Sequence, residues 1–352
     1  MKLMPKIDLS PIILILCFLT IKVTYAQFED HEHYNIYATN LPENIDFAGE
    51  KVPIKKLDIR ERLDKEILVN TYWQSKTMLL IKRSKKYFPM IEKILADNNI
   101  PDDFKYLAVA ESGLEQVTSP SGAKGFWQFL KETGIEYNLE INSEIDERYH
   151  IEKSTQSACN YIQKAFKEFG SWTLAAASYN MGKYGLKKEI ELQKVNNYYD
   201  LMLNNETYRY VFRILAMKEI IENHEKYGFI INNNDYYDFP ESSILKIDSA
   251  IYNIAEFALK IGINYKIIKQ FNPWILNNKI SKKEGKIYDL KIPSKKYLYS
   301  NTIDTILHIC ETRENLFQIA RQYNTKVEDL LLWNNLLPSS KLKKYQKIII
   351  LK

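Results

Sequence analysis

In the run Tyr106-Leu107-Ala108-Val109-Ala110-Glu111-Ser112, one carboxylic acid closes a stretch that is apolar on nearly every helical face. A helix of that kind is buried, so Glu111 emerges at the end of a buried element. Burial disfavours the ionised carboxylate and moves its pKa toward neutrality, which a general acid requires. A glutamate at a helix end can also turn to solvent or pair with an arginine, and Glu111 alone does not separate these readings. Its neighbours favour chemistry. Ser119 opens the polar loop Ser119-Pro120-Ser121-Gly122-Ala123-Lys124-Gly125, where the two glycines permit a tight turn and close backbone approach. Phe126-Trp127-Gln128 then reads as the start of a second, aromatic helix. A short polar loop between two buried helices makes a cleft wall. Trp127 offers either an aromatic plate or a core filler, and Gln128 an amide that donates and accepts. Sugars need that combination. Farther on, the small-residue helix Ala175–Gly182 ends in Tyr179 and Asn180, a pattern that alone marks only a helix terminus.

The elements that must hold these residues are mainly helical. Apolar periodicity predicts helices over 78–97, 102–112, 154–169, 172–181 and 206–226, with Ser154 or Thr155 capping the third and Gly170 ending it. Residues 27–70 are polar and irregular and read as a leader segment that packs late or not at all. The helical domain therefore spans 71–235. Beyond Pro240 the texture becomes short apolar strands around paired helical runs, and the chain repeats itself at an offset of 62 residues. Asn253-Ile254 answers Asn315-Leu316, Phe257-Ala258 answers Ile319-Ala320, Ile268 answers Leu330, and Phe271-Asn272 answers Trp333-Asn334. Each copy closes in a strand-like run, giving strand, helix, helix, strand over 240–295 and again over 300–352. Two amphipathic helix pairs could match by chance, but periodicity asks for no asparagine at the helix ends.

Residues 1–26 read as a signal peptide: Lys2 and Lys6, an apolar run from Pro11 to Thr20, then Thr24-Tyr25-Ala26 as a small-residue cleavage site. Left uncleaved, the segment would associate the chain with a membrane by its N-terminus. Either way the body is exported, to the periplasm or cell envelope. With 49 basic and 44 acidic residues the chain has no electrostatic case for nucleic acid. Beyond the signal segment only Cys159 and Cys310 remain, in different domains, and both read as small buried hydrophobes rather than a disulfide pair. The five histidines do not share a helix face at ligand spacing and no phosphate-binding glycine loop occurs, so neither a metal nor a cofactor is expected.

The ordered series Glu111-Ser112, Ser119-x-x-Gly122-Ala123-x-Gly125-x-Trp127-Gln128, Asp146-Glu147-Arg148, Ala177-x-Tyr179-Asn180-x-Gly182, Glu206-Thr207 and Tyr210-Val211 resembles the soluble lytic transglycosylase domain over roughly residues 75–230. The resemblance implies a lysozyme-like helical catalytic domain with Glu111 as acid and base. It also implies a cleft lined by residues matching Ser119, Gln128, Tyr179 and Asn180, with Glu206 close by. Asp146-Glu147-Arg148 reads as structural, with Arg148 tying a loop to a neighbouring helix. The two C-terminal copies are similar to LysM modules, which bind N-acetylglucosamine-containing glycans. The second copy shows the resemblance better, although Arg313 stands where that family usually has glycine, and the first keeps mainly the hydrophobic skeleton. The layout is similar to that of membrane-bound lytic murein transglycosylases of the D type. The implied partner is the peptidoglycan glycan strand, cleaved between N-acetylmuramic acid and N-acetylglucosamine without consuming water. A lysozyme-like hydrolase using the same acid, an inactive wall-binding protein and a scaffold for wall enzymes are the competing readings.

Overall fold

The computed structural model describes residues 36–294, 305–311, 314–338 and 340–351. The signal segment expected over 1–26 lies outside these residues, and residues 36–40, which belong to a separate N-terminal unit, contain neither helix nor strand. Among the described residues no helix is long and apolar enough to cross a membrane.

The helical domain starts earlier than its sequence texture suggests. A two-residue hairpin, β1 (Asp46–Phe47) with β2 (Glu50–Lys51), leads into α1 (Leu57–Tyr72). Phe47, Ile59, Leu63 and Ile67 are wholly buried in the main core, so the supposed late-packing leader is structural from about residue 41. Its polar character comes from anchoring charges. Glu50 receives the backbone N–H of Trp172 (2.6 Å) and Thr173 (2.9 Å) at a helix N-terminus, and Ala48 N–H donates to Asp103 at 2.6 Å.

Helices α2 (Gln74–Asp97), α3 (Lys105–Ser112), α4 (Lys131–Glu136), α5 (Ile151–Phe169), α6 (Trp172–Met181), α7 (Lys183–Gln193) and α8 (Asn205–Glu222) complete the domain. Ten of the 18 residues of α8 are buried, which makes it the central helix, packed against α1, α3 and α6. Helix α5 begins at Ile151, three residues ahead of the expected cap. Ser154 and Thr155 sit within its first turns, with their hydroxyls donating to Ile151 O, rather than capping its start. Gly170 ends the helix in the left-handed conformation, as expected.

Past Pro240, β3 (Ser242–Ile247), α9 (Ile254–Lys260), α10 (Tyr265–Phe271) and β4 (Tyr288–Pro293) form one module, with β3 and β4 antiparallel. The arrangement recurs in β5 (Thr305–Ile309), α11 (Leu316–Tyr323), α12 (Val327–Trp333) and β6 (Lys347–Leu351). The repeated asparagines do equivalent work. Asn253 and Asn315 cap α9 and α11 by accepting backbone N–H groups. Asn272 and Asn334 stitch the second helix to the last strand: each donates to a helix carbonyl and a strand carbonyl, and accepts the N–H of Lys291 or Ile349.

The first module is docked on the helical domain. Ile145 enters its core, Asp146 N–H donates to Trp274 O at 2.9 Å, and Leu276 N–H donates to Glu144 O at 2.8 Å. The His150 ring stacks on Trp274 at 5.6 Å, and Lys283 and Lys286 flank Glu140.

Candidate active site

Helix α3 stops at Gly113, whose φ of 63° lets the chain turn directly after Ser112. Ser112 Oγ donates to Ala108 O (3.1 Å) and Phe126 O (2.9 Å), tying the helix end to the loop that follows. Glu111 thereby reaches the wall of a cleft of about 490 Å³, lined also by Ser119, Ser121, Gln128, Phe129, Thr133, Tyr161, Tyr179 and Asn180. Among the described residues lining it, Glu111 is the one carboxylic acid.

Burial pushes the Glu111 carboxyl from 4.5 up to about 7. The Tyr210 hydroxyl, donating to Oε1, and the nearby Arg213 guanidinium work in the opposite sense, while Glu206 reinforces the rise. Arg213 is itself ion-paired with the exposed Glu206, whose charge acts against it at Glu111, and burial is the largest influence. A carboxyl poised near neutrality can donate a proton and accept one back.

Residues 125–128 are a turn rather than the start of an aromatic helix. Gln128 adopts a φ of 47°, and helix α4 starts only at Lys131. The left-handed backbone directs Gln128 back onto the loop, where Nε2 donates to Gly125 O (2.8 Å) and Val117 O (3.2 Å), leaving Oε1 as the acceptor for the cleft. Ser119 Oγ accepts the Ala123 N–H at 3.0 Å and contacts Ser121 Oγ at 2.9 Å, so it shapes the loop it opens. Trp127 is the core filler, not the plate: it is wholly buried, and its indole N–H donates to Thr155 Oγ1 at 2.8 Å.

Tyr179 donates its hydroxyl to Trp127 O at 2.8 Å, and its ring packs edge-on to Phe129 and Tyr161. Burial, with the charge of Glu111 adding to it, holds that phenol well above its usual range, so it stays protonated. Asn180 Oδ1 accepts from Thr207 Oγ1 at 2.7 Å, which fixes the amide and leaves its NH2 as the donor to the cleft. Of the sequence candidates, the structure brings Glu111, Ser119, Gln128, Tyr179 and Asn180 to one cleft. Glu206, exposed and paired with Arg213, and the buried Trp127 do not line it.

Arg148 ties two parts of a loop rather than a loop to a helix. Its guanidinium donates to Gly122 O (3.1 Å) and Phe129 O (3.2 Å) on the two arms of the cleft loop and holds Asp146 through Nε (2.9 Å) and Nη2 (2.7 Å). The residue that sequence reasoning left without a role is Tyr210. Glu206, Tyr210 and Arg213 fall at i, i+4 and i+7 on α8, a single face, and that spacing was the available signal.

Residues 88–202 match the family model described as the transglycosylase SLT domain. Residues 243–296 match the soluble lytic transglycosylase C-terminal LysM-like domain, and residues 311–350 the LysM domain. Residues 88–202 are thus similar to a transglycosylase SLT domain, followed by two stretches similar to LysM-type domains. It is 27% identical over 319 residues to proteins named membrane-bound lytic murein transglycosylase D from Escherichia coli strains K12 and CFT073, a match covering 83% of this chain and 68% of each relative. Among solved structures, the 70 kDa soluble lytic transglycosylase of E. coli is 19% identical with a TM-score of 0.35, over 44% of this chain and 27% of that one. The lytic transglycosylase Slt of Pseudomonas aeruginosa is 16% identical with a TM-score of 0.32, over 43% and 26%. The chain thus spans about a quarter of the length of those two structures. All five cleft residues of the sequence series, Glu111 to Asn180, fall inside the span matched by the SLT model.

Proposed function

We propose that the chain is an exported lytic transglycosylase that cleaves the β-1,4 bond between N-acetylmuramic acid and N-acetylglucosamine in peptidoglycan. The observation that carries this reading is the solitary, half-buried carboxyl of Glu111 on a polar cleft, held near neutrality by burial. Retaining and inverting hydrolases work with two carboxyls at set separations. Here the other acids of the neighbourhood are engaged elsewhere: Asp146 by Arg148, Glu147 by Lys153, and Glu206 by Arg213.

Glu111 first gives its proton to the glycosidic oxygen, and the bond from that oxygen to C1 of the muramic residue breaks. The resulting carboxylate then removes the C6 hydroxyl proton as O6 bonds to C1 and closes a 1,6-anhydro ring. The proton has passed from O6 to the departing sugar, Glu111 is an acid again, and no water is consumed. Ser119, Gln128 Oε1, the Tyr179 oxygen and the Asn180 amide orient the sugar and its acetamido group. The LysM-type modules add affinity for N-acetylglucosamine-containing strands.

Mass spectrometry of digested peptidoglycan tests the mechanism. Anhydro ends, lighter by one water than reducing ends, are expected from the wild type and absent with Glu111→Gln. Hydrated reducing ends alone would reject the transglycosylase reading in favour of a hydrolase. Equal biological effect from wild type and Glu111→Gln would reject catalysis in favour of wall binding.

A further inference from the structure

Three donors of different chemistry converge in the second C-terminal module, and the glycosidic reaction uses none of them. His308 on β5 and Cys310 just past it are two residues apart, so both side chains face the inner side of the hairpin, and both are buried. Glu314, immediately before the residue that caps α11, reaches back to them. His308 Nε2 is 2.9 Å from Glu314 Oε2, and a ring nitrogen of His308, Cys310 Sγ and a Glu314 carboxylate oxygen all lie within 4.8 Å of one another.

Ligand atoms around a tetrahedral zinc ion, with bonds of about 2.0–2.3 Å, stand roughly 3.3–3.8 Å apart. The gap to be closed is therefore on the order of 1 Å, within reach of side-chain torsions alone. The imidazole is already oriented. Its Nδ1 lies 3.1 Å from the Tyr323 hydroxyl at the end of α11, which can accept a hydrogen bond from Nδ1–H and leave the Nε2 lone pair on the side of Glu314. A histidine–glutamate pair explains two of the three groups but not the thiol beside them.

We propose that His308, Cys310 and Glu314 form a three-ligand site for a divalent cation of the zinc class, with solvent as the fourth ligand. The donor set of one imidazole, one sulfur and one carboxylate selects a borderline-soft ion over magnesium or calcium. On binding, the Cys310 S–H bond breaks, its proton leaves to solvent and a sulfur–metal bond forms, while His308 ligates as the neutral imidazole. The ion would pin β5 to the start of α11. A module whose described core holds only seven buried residues gains from such a staple. Ligand spacing along a helix could not reveal the site, because two of its ligands belong to a strand and its end.

The test uses the full-length protein, stripped by dialysis against a chelator. Titration with Zn2+ against a chromophoric competitor is expected to give one equivalent per chain, and Co2+ a sulfur-to-cobalt charge-transfer band. Cys310→Ala abolishes that band and Cys159→Ala keeps it. Tyr323→Phe, which retains the ring, weakens Zn2+ binding roughly 10- to 100-fold through the lost partner of Nδ1. Should Cys310→Ala fail to fold, the band in the wild type and the affinity of Tyr323→Phe decide. Absence of a stoichiometric equivalent, or one that Cys310→Ala and Tyr323→Phe both leave unchanged, overturns the site.

Discussion

The Tyr210 hydroxyl donates a hydrogen bond to Oε1 of Glu111, joining the central helix α8 to the end of α3. The two effects on the acid are opposed. Burial favours its protonated form, whereas a donated O–H favours the carboxylate. The phenol can donate to either form, so it fixes the direction in which Glu111 points throughout proton donation and return. Tyr210 does not itself line the cleft, and we read it as a positioning residue.

Replacing Tyr210 with Phe removes that hold while keeping the buried ring. A hydrogen bond to a charged group contributes about 1.5–3 kcal/mol, so kcat should fall roughly 10- to 100-fold, with KM nearly unchanged. The pH profile should move as well. The starting state needs protonated Glu111, so the wild-type rate falls as pH rises through about 7. Without the Tyr210 donor the carboxylate is less favoured, and the falling limb shifts to higher pH. A profile that keeps its position would assign Tyr210 to packing alone.

The raised acid also makes a stability prediction. Between pH 4.5 and about 7 the folded protein binds a proton at Glu111 that the unfolded chain has released, so the fold loses stability as pH rises through that window. Glu111→Gln has no such titration. It should match the wild type below about pH 4.5 and exceed it above pH 7 by up to roughly 3 kcal/mol, at 1.36 kcal/mol per pKa unit. Denaturant unfolding at pH 4 and pH 8 measures the difference. A gain of equal size at both pH values would place its source outside the carboxyl.

Much of this was legible in the sequence because it rests on local rules. The apolar run before Glu111, the glycines after it, and the asparagines recurring 62 residues apart each specify a helix end, a turn or a cap in the folded chain. What escaped depended on partners distant in sequence. The polar stretch before residue 70 became core because Glu50 meets a helix N-terminus 122 residues on. Trp127 left the cleft because Thr155 satisfies its indole from behind, and Tyr210 gained a role only when α8 was laid across α3. Periodicity also cannot distinguish an aromatic turn from a helix start. The left-handed Gln128 breaks that element after three residues.

The two loop glycines should behave differently. A Cβ on Gly125 would stand 2.0 Å from Arg148 O and 2.8 Å from its carbonyl carbon, with φ at 76°. The backbone of Arg148 cannot yield without opening the cleft wall, so Gly125→Ala should cost more than about 3 kcal/mol and most of the activity. Gly122 has φ at 82° and nothing within 4 Å of an added Cβ. Gly122→Ala then carries only backbone strain, about 1 kcal/mol, or a few degrees of Tm. Thermal unfolding of the two variants side by side separates close approach from strain.

Arg148 and Asp146 test whether the cleft wall depends on a buried ion pair. Both side chains are almost wholly buried, and Arg148 alone bridges Gly122 O and Phe129 O. Arg148→Met leaves the Asp146 carboxylate buried without its guanidinium, held only by the backbone N–H of residue 148 (3.2 Å) and the 3.3 Å contact of Lys124, and should destabilise by about 3–5 kcal/mol. Adding Asp146→Asn removes the uncompensated charge, so the double variant should recover part of that stability. Activity should not recover with it, because neither change restores the bridge between the loop arms that carry Ser119 and Gln128. If activity returned in step with stability, the guanidinium would be acting only as a counter-ion for Asp146.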